Sequence, residues 1–141
     1  MATPDAPRSQ ARQQMVEDPT ELAGKYKLIA ELGRGGMATV YLAVQRQAAS
    51  VKKLVVVKQL RSDMGNDTDL VEMFLEEARL AARLSHPNVV NTFEVAEAGG
   101  QYFLAMEYLD GPSLQAVLTK IGFSGKFSFA HYLRVIIDVL A

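Results

Sequence analysis

Two features of the sequence have residue types and a spacing suited to binding phosphate. Lys58 ends an otherwise apolar, strand-like run over residues 54–57. Upstream lies a glycine-rich turn, residues 33–40, which reads Gly-Arg-Gly-Gly-Met-Ala-Thr-Val. A buried ammonium is costly unless an anion meets it, and a turn with several glycines bares backbone N–H groups that bind phosphate oxygens. Together the two features predict a nucleotide site.

A second isolated charge, Glu77, follows in a predicted helix. Helical periodicity puts six residues on one apolar face: Leu70, Met73, Phe74, Leu80, Ala81 and Leu84. Glu77 falls on that face, whereas Glu76 falls on the polar one. We expect Lys58 and Glu77 to pair, because burying either charge alone costs about 3 to 5 kcal/mol. The alternatives are an ion pair that only stabilises the fold, or a lysine that snorkels to the surface.

The elements that position these residues are mostly strands. Apolar and β-branched runs predict strands near residues 26–32, 39–44, 53–60, 89–97 and 101–107. Thr68 or Asp69 is the predicted cap of the main helix, and Ser113 that of a short helix ending near Lys120. Ser128 begins a further apolar helix. Because the glycine turn joins two strands, a dinucleotide-binding turn, which leads into a helix, is disfavoured, and an ordinary hairpin remains an alternative.

Composition narrows the class of protein. The 141 residues are 49% hydrophobic and 22% charged, as in a soluble globular domain, and their net charge of -1 favours neither nucleic acid nor an anionic membrane. The chain has no cysteine, so it cannot form disulfides or thiolate metal sites, and we expect a cytoplasmic protein. No apolar run is of membrane-spanning length. Residues 1–20, with three prolines, are a predicted flexible leader.

Several motifs, taken in order, resemble the small N-terminal lobe of eukaryotic-type protein kinases. Residues 32–40 resemble the glycine-rich loop of that family, and residues 55–58 resemble its V-A-I-K strand. Glu77 matches the glutamate of the family's first helix, residues 86–88 the segment after it, and residues 106–109 the hinge between lobes. The likeness runs from residue 26 to residue 141, and the Gly-Gly-Met run is similar to that of bacterial serine/threonine kinases.

The resemblance implies an α+β fold and a division of the chain. The protein-kinase-like small lobe has a five-stranded antiparallel sheet and one main helix, followed by the start of the helical large lobe. The expected organisation is a flexible leader at 1–20, the small lobe at 21–109, and the hinge with a truncated start of the large lobe at 110–141.

The resemblance also assigns roles to residues. Lys58 would hold the α- and β-phosphates of ATP and be positioned by Glu77, so these are the expected catalytic residues. The other ATP-binding residues it implies are Leu32, Gly33, Arg34, Gly35, Gly36, Met37, Ala38, Thr39, Val40, Val56, Met106, Glu107 and Leu109. Among them, Leu32, Val40 and Val56 would pack on the adenine. Met106 would lie behind it, and the backbone of Glu107 and Leu109 would hydrogen-bond its edge.

Two departures and two missing motifs qualify this assignment. Ala38 stands where a third glycine is common and Val56 where alanine is usual, so we expect a retuned pocket. The family's H-R-D and D-F-G motifs are not in the sequence, so Mg²⁺ ligands and the catalytic aspartate are missing. We therefore expect the ATP-binding lobe of a serine/threonine kinase that phosphorylates protein hydroxyls, inactive as this chain alone. The alternative is a non-catalytic, kinase-like regulatory or binding module.

Overall fold

The computed structural model describes residues 14–15, 20–48, 51–121 and 129–140. Seven strands lie within these ranges: β1 (Gln14–Met15), β2 (Glu21–Leu22), β3 (Tyr26–Arg34), β4 (Ala38–Arg46), β5 (Lys52–Leu60), β6 (Thr92–Ala98) and β7 (Gln101–Glu107). The helices are α1 (Thr68–Arg83), α2 (Leu114–Ile121) and α3 (Phe129–Leu140), with a short 3₁₀ turn at Ser62–Met64. The predicted α+β fold is confirmed.

The strands form one antiparallel sheet in the order β1-β3-β4-β5-β7-β6, and β2 also pairs with β3. All five predicted strands are present as β3 to β7. β6 begins at Thr92, later than the predicted residue 89, because residues 86–89 form a turn in which the Val89 N–H donates to His86 O. β1 falls within the predicted leader, where it pairs with Glu31 and Ala30, and most of that leader lies outside the described residues.

Alternation along β5 divides the sheet into two faces. Val55 and Val57 are fully buried on the first face. The core on that face consists of Leu22, Tyr26, Leu28, Ala43, Val55, Val57, Phe103 and Ala105. The second face carries Lys58 and is partly covered by α1. Its core consists of Ala38, Leu60, Phe74, Ala78 and Leu104. Lys58 therefore shares a face with the helix that supplies Glu77.

The cap of α1 lies one residue before the predicted positions. Asp67 is the N-cap, and its Oδ1 accepts from the backbone N–H of Asp69 at 3.1 Å and of Leu70 at 3.2 Å. The predicted caps, Thr68 and Asp69, are already in the first turn. An aspartate in the extended conformation is a favoured cap, and here the chain offers two such aspartates close together.

The buried stripe of α1 is also displaced from the predicted face. Phe74 and Ala78 are the buried residues of the helix. Met73, Leu80 and Leu84 belong to the predicted apolar face, yet they are 49%, 58% and 53% exposed. They occupy the same stripe as Glu77, three or four residues apart along the helix. The sheet contacts only a narrow strip of α1, so the apolar stripe that carries Glu77 is open.

The two helices that follow β7 agree with the predicted positions. Ser113 caps α2, since its Oγ accepts from the Ala116 N–H at 3.1 Å. α3 contacts the turn before β6, where Asn88 Nδ2 donates to Asp138 O at 2.8 Å, while Ile136 and Ile137 are more than half exposed. The predicted helix start at Ser128 lies outside the described residues. In the part of the chain that is described, no helix is both long and apolar enough to span a bilayer.

A polar network joins β3 to β6, which are not neighbours in the sheet. The buried Tyr26 hydroxyl donates to Glu94 Oε2, and Lys25 Nζ lies 2.7 Å from the same oxygen. These two hydrogen bonds, that from Lys25 first, lower the pKa of Glu94, whereas burial and the carboxylate raise the pKa of the Tyr26 hydroxyl. The network closes the sheet around the core that contains Phe103, whose ring packs edge-on against Tyr26 at 5.7 Å.

We predict that Glu94→Gln lowers the free energy of unfolding by about 1 kcal/mol near neutral pH. Because the pKa of Glu94 is lowered in the folded state from its ordinary 4.5, its contribution is present above that value and lost as the pH falls through the folded pKa. Urea unfolding at several pH values should therefore show the difference from the parent chain shrinking in acid. The exposed Glu97→Gln is the control on the same strand; a pH-independent difference for Glu94→Gln would contradict the prediction.

Candidate nucleotide site

One row of residues across four strands places the glycine turn beside the lysine. Gly33 pairs with Val40, Val40 with Lys58, and Lys58 with Leu104. Residues opposite each other in antiparallel strands project to the same face, and neighbouring strands lie about 5 Å apart. Gly33, the first residue of the glycine turn, therefore lies about 10 Å from Lys58 on the same surface of the sheet.

Lys58 and Glu77 form the predicted ion pair. Lys58 Nζ lies 2.6 Å from Glu77 Oε1 and 6.0 Å from the centre of the Phe74 ring. The two side chains are 23% and 54% exposed, so the expectation of a buried pair is wrong. Nothing in the described chain covers this side of α1. A partly exposed pair contributes about 1 kcal/mol or less, well below the cost expected for a buried one.

The glycine-rich turn is a tight hairpin between β3 and β4. Gly33 and Arg34 still pair with Val40 and Thr39, and the Gly35 N–H donates to Ala38 O at 2.8 Å. The turn's three glycines, Gly33, Gly35 and Gly36, do not occupy the left-handed region that other residues avoid. None of the three has a positive φ, in contrast to Gly24, Gly99 and Gly100 elsewhere.

Space, and not dihedral strain, distinguishes the glycines of the turn. A Cβ added at Gly33 or Gly36 would meet no atom within 4 Å, and one at Gly35 would make only an ordinary contact with Ala38 O. The folded chain therefore does not itself require glycine at these positions. The lack of side chains leaves the turn's backbone bare, as close approach of a phosphate requires.

Two of the residues predicted to bind ATP have side chains on the other face. Thr39 is only 5% exposed and pairs across the strands with Gln59, in alternation with Val40 and Lys58. Arg34 is the partner of Thr39 in the hairpin and forms an ion pair with Glu31 at 3.2 Å. Only the backbone of Arg34 and Thr39 can face a ligand beside Lys58. Ala38 and Met37 pack instead against the core under α1.

A half-buried apolar wall extends from Lys58 towards the hinge. Val56 lies between Leu42 on β4 and Met106 on β7 in the next row of the sheet. Leu42 was not among the predicted residues, although its spacing of two from Val40 on a strand would have indicated it. Leu32 has no partner in the register between Glu31 and Gly33, so it sits at a β-bulge of the kind that re-aims a side chain.

The hinge residues are partly committed to other contacts. The Glu107 N–H donates to Asn91 O at 2.9 Å, and its carboxylate accepts from the Asn91 N–H at 3.3 Å. A ligand could therefore use only the carbonyl of Glu107. The Leu109 side chain is 60% exposed and lines a groove with Val135 and Val139 of α3, which leaves its backbone as the predicted contact.

Comparison with known proteins assigns the family. The sequence model of the family described as protein kinase domain matches residues 26–141 of this chain. The chain belongs to the protein kinase family. It is 40% identical over 116 residues to the tyrosine-protein kinase MasK of Myxococcus xanthus, covering 82% of this chain and 18% of MasK. It is 36% identical over 101 residues to the serine/threonine-protein kinase PrkC of Bacillus subtilis, covering 72% of this chain and 15% of PrkC.

A solved kinase domain shares the fold. The PknI kinase domain of Mycobacterium tuberculosis superimposes with a TM-score of 0.66 at 27% identity, covering 88% of this chain and 48% of that one. This kinase chain thus spans about half of the solved domain and less than a fifth of the curated relatives named above. The resemblance to a bacterial-type kinase small lobe is confirmed.

We predict that Glu77→Gln lowers the free energy of unfolding of this kinase chain by no more than about 1 kcal/mol, because the pair with Lys58 is half exposed. Glu76→Gln, one residue away and exposed, should change it by less. Thermal or urea unfolding of both variants measures the difference. A loss on the order of 3 kcal/mol for Glu77→Gln would contradict the prediction and show that the pair is buried in solution.

Proposed function

We propose that this chain is the ATP-binding lobe of a serine/threonine protein kinase that transfers the γ-phosphate of ATP to protein hydroxyls. The observation that carries the proposal is the row from Gly33 to Lys58, with Glu77 2.6 Å from the lysine. A single cation beside a bare glycine turn and an apolar wall suits a ligand with a phosphate chain and an aromatic base. PrkC of Bacillus subtilis and pkn2 of Myxococcus xanthus carry the name serine/threonine-protein kinase, and MasK carries the name tyrosine-protein kinase.

Each group of the site has a distinct role in the proposal. The ammonium of Lys58 binds phosphate oxygens, and Glu77 holds it in place without needing to be buried. The turn supplies backbone N–H groups to the phosphates. Leu32, Val40 and Val56, together with Leu42, pack against the adenine, and Met106 bounds the pocket at the back. The Glu107 carbonyl and the Leu109 backbone accept from and donate to the edge of the base.

Mg²⁺ accompanies ATP in the proposed function. In the described ranges, no three His, Asp or Glu side chains cluster in a way that could hold a metal ion. Mg²⁺ would therefore depend on the triphosphate and on ligands outside this part of the chain.

We further propose residues 21–109 as the small lobe and 110–141 as the hinge and start of the large lobe, in a cytoplasmic protein with a protein substrate. The weak net charge of -1 gives no support for nucleic acid as a partner.

We predict that the 141-residue chain binds Mg-ATP and that Lys58→Met weakens the affinity at least about tenfold, because a phosphate loses its charge-assisted partner. Isothermal titration calorimetry measures both constants. Lys52→Met, on the same strand but exposed at its start, is the matched control and should bind like the parent chain. Equal affinities for the parent chain and Lys58→Met would count against the proposal.

We predict that Gly33→Ala changes the affinity for Mg-ATP but not the stability, and that Gly24→Ala changes the stability but not the affinity. Gly33 has an ordinary φ and free space, so Gly33→Ala should keep the free energy of unfolding while the new methyl group weakens Mg-ATP binding. Gly24 has a φ of +62°, so Gly24→Ala should cost about 1 kcal/mol of stability and leave the affinity unchanged. Urea unfolding and calorimetry separate the two quantities. Unchanged Mg-ATP affinity in Gly33→Ala would mean that the turn does not approach the phosphates.

The second candidate is a non-catalytic kinase-like module. The observation that favours it is the open apolar stripe of Met73, Leu80 and Leu84 on α1, since exposed apolar patches promote association. A module that acts only through this stripe would be indifferent to Lys58→Met and sensitive to Leu80→Glu in assays of self-association. The site described above favours the nucleotide-binding lobe.

A further inference from the structure

One arginine forms hydrogen bonds with the glycine-rich turn from outside the nucleotide site. Arg61, directly after β5, donates from Nη1 to Gly36 O at 3.2 Å and from its backbone N–H to Met37 O at 2.9 Å. The other edge of its guanidinium faces Asp63, with Nε 3.0 Å from Oδ1 and Nη2 2.6 Å from Oδ2. This bidentate contact fixes the plane of the guanidinium and hence the direction of Nη1.

Arg61 lies on the face of the sheet opposite Lys58. It lines a groove together with Thr39 and Gln59. Those two residues pair across β4 and β5 in alternation with Val40 and Lys58, so their side chains project to the other face. Phosphates held by Lys58 would therefore not displace the contact between Arg61 and Gly36.

The contact with Gly36 orients the peptide that follows. The described residues contain no cis peptide, and in a planar trans peptide the C=O and the next N–H point in opposite directions. Because Gly36 O points to Arg61, the Met37 N–H of the same peptide points away from Arg61, and so away from the side of the turn that Arg61 occupies. A backbone N–H in that direction is available to a phosphate oxygen.

We propose that Arg61, aligned by Asp63, is a positioning residue that holds the Gly36–Met37 peptide with its N–H towards the phosphate site. This inference rests on the proposed binding of ATP. The charges of the pair persist through the physiological pH range, since the hydrogen bond between them lowers the pKa of Asp63 and raises that of Arg61. Because Lys58 lies on β5 and Arg61 directly follows that strand, the course of β5 positions both residues.

The test uses the 141-residue chain with Arg61→Met, Asp63→Asn and a control, Arg46→Met. Arg46 is an exposed arginine on the same sheet, paired with Glu21 at 3.0 Å and remote from the turn. Calorimetry with Mg-ATP gives the affinity, and ¹⁵N relaxation of residues 35–37 gives the mobility of the turn. Thermal unfolding checks that each variant is folded.

We predict that Arg61→Met weakens Mg-ATP binding about fivefold and raises the mobility of residues 35–37. The loss is smaller than that expected for a direct hydrogen bond from a charged donor, because Arg61 acts on the turn and does not contact ATP. Asp63→Asn should give a smaller change in the same direction, and Arg46→Met none. Lys58→Met should lose affinity without any change in the mobility of the turn. That pattern separates positioning by Arg61 from direct binding by Lys58.

The outcomes that overturn the proposal are distinct from those that overturn ATP binding. Unchanged mobility of the turn in Arg61→Met removes the positioning role, whatever the affinity. Increased mobility with unchanged affinity removes it as well, because the orientation of the peptide would not matter to the ligand. If the parent chain binds no Mg-ATP, the proposed function falls and the role of Arg61 falls with it, even if the turn becomes more mobile.

Discussion

The register between β4 and β5 is the constraint on which the site depends. It places Val40 opposite Lys58 and Thr39 opposite Gln59, so each row of the sheet is committed to one face. A shift of one residue would turn Lys58 into the core that holds Val55 and Val57, and would expose those valines. That core is fully buried, so the cost of the shift is large. The hydrophobic core thereby fixes the direction of the one cation of the site.

The partner of that cation is fixed more loosely. Glu77 reaches Lys58 from α1, and α1 is held to the sheet through Phe74 and Ala78. The next stripe of the helix, which contains Glu77, is open to solvent, so the ion pair adds little to the stability of the small lobe. In the proposed function it holds the ammonium in one place. A pair with a small contribution to stability can be broken without unfolding the sheet.

The sequence was sufficient to predict the strands and the pairing of Lys58 with Glu77, because alternation and isolated charges are local signals. It misplaced the buried stripe of α1, because Met73, Leu80 and Leu84 are as apolar as the residues that the sheet covers. Which residues of α1 are covered by the sheet depends on how α1 crosses β6 and β7, and no local sequence pattern predicts that crossing. Leu42 was missed although its spacing was informative, and the contact of Arg61 with Gly36 joins residues 25 positions apart.

Closure of the sheet and the candidate nucleotide site use different residues on different faces. Tyr26, Glu94 and Lys25 join β3 to β6 around the first core, whereas Lys58, Glu77 and the glycine turn lie on or beside the second face. Substitutions at sites that share no partner usually have additive effects on stability. Stability and nucleotide affinity should accordingly be separable in this lobe. Arg61 differs from both groups, because it lies on the face opposite Lys58 but contacts the glycine turn. Among the described residues, it is the link through which binding on that face could affect the candidate phosphate site.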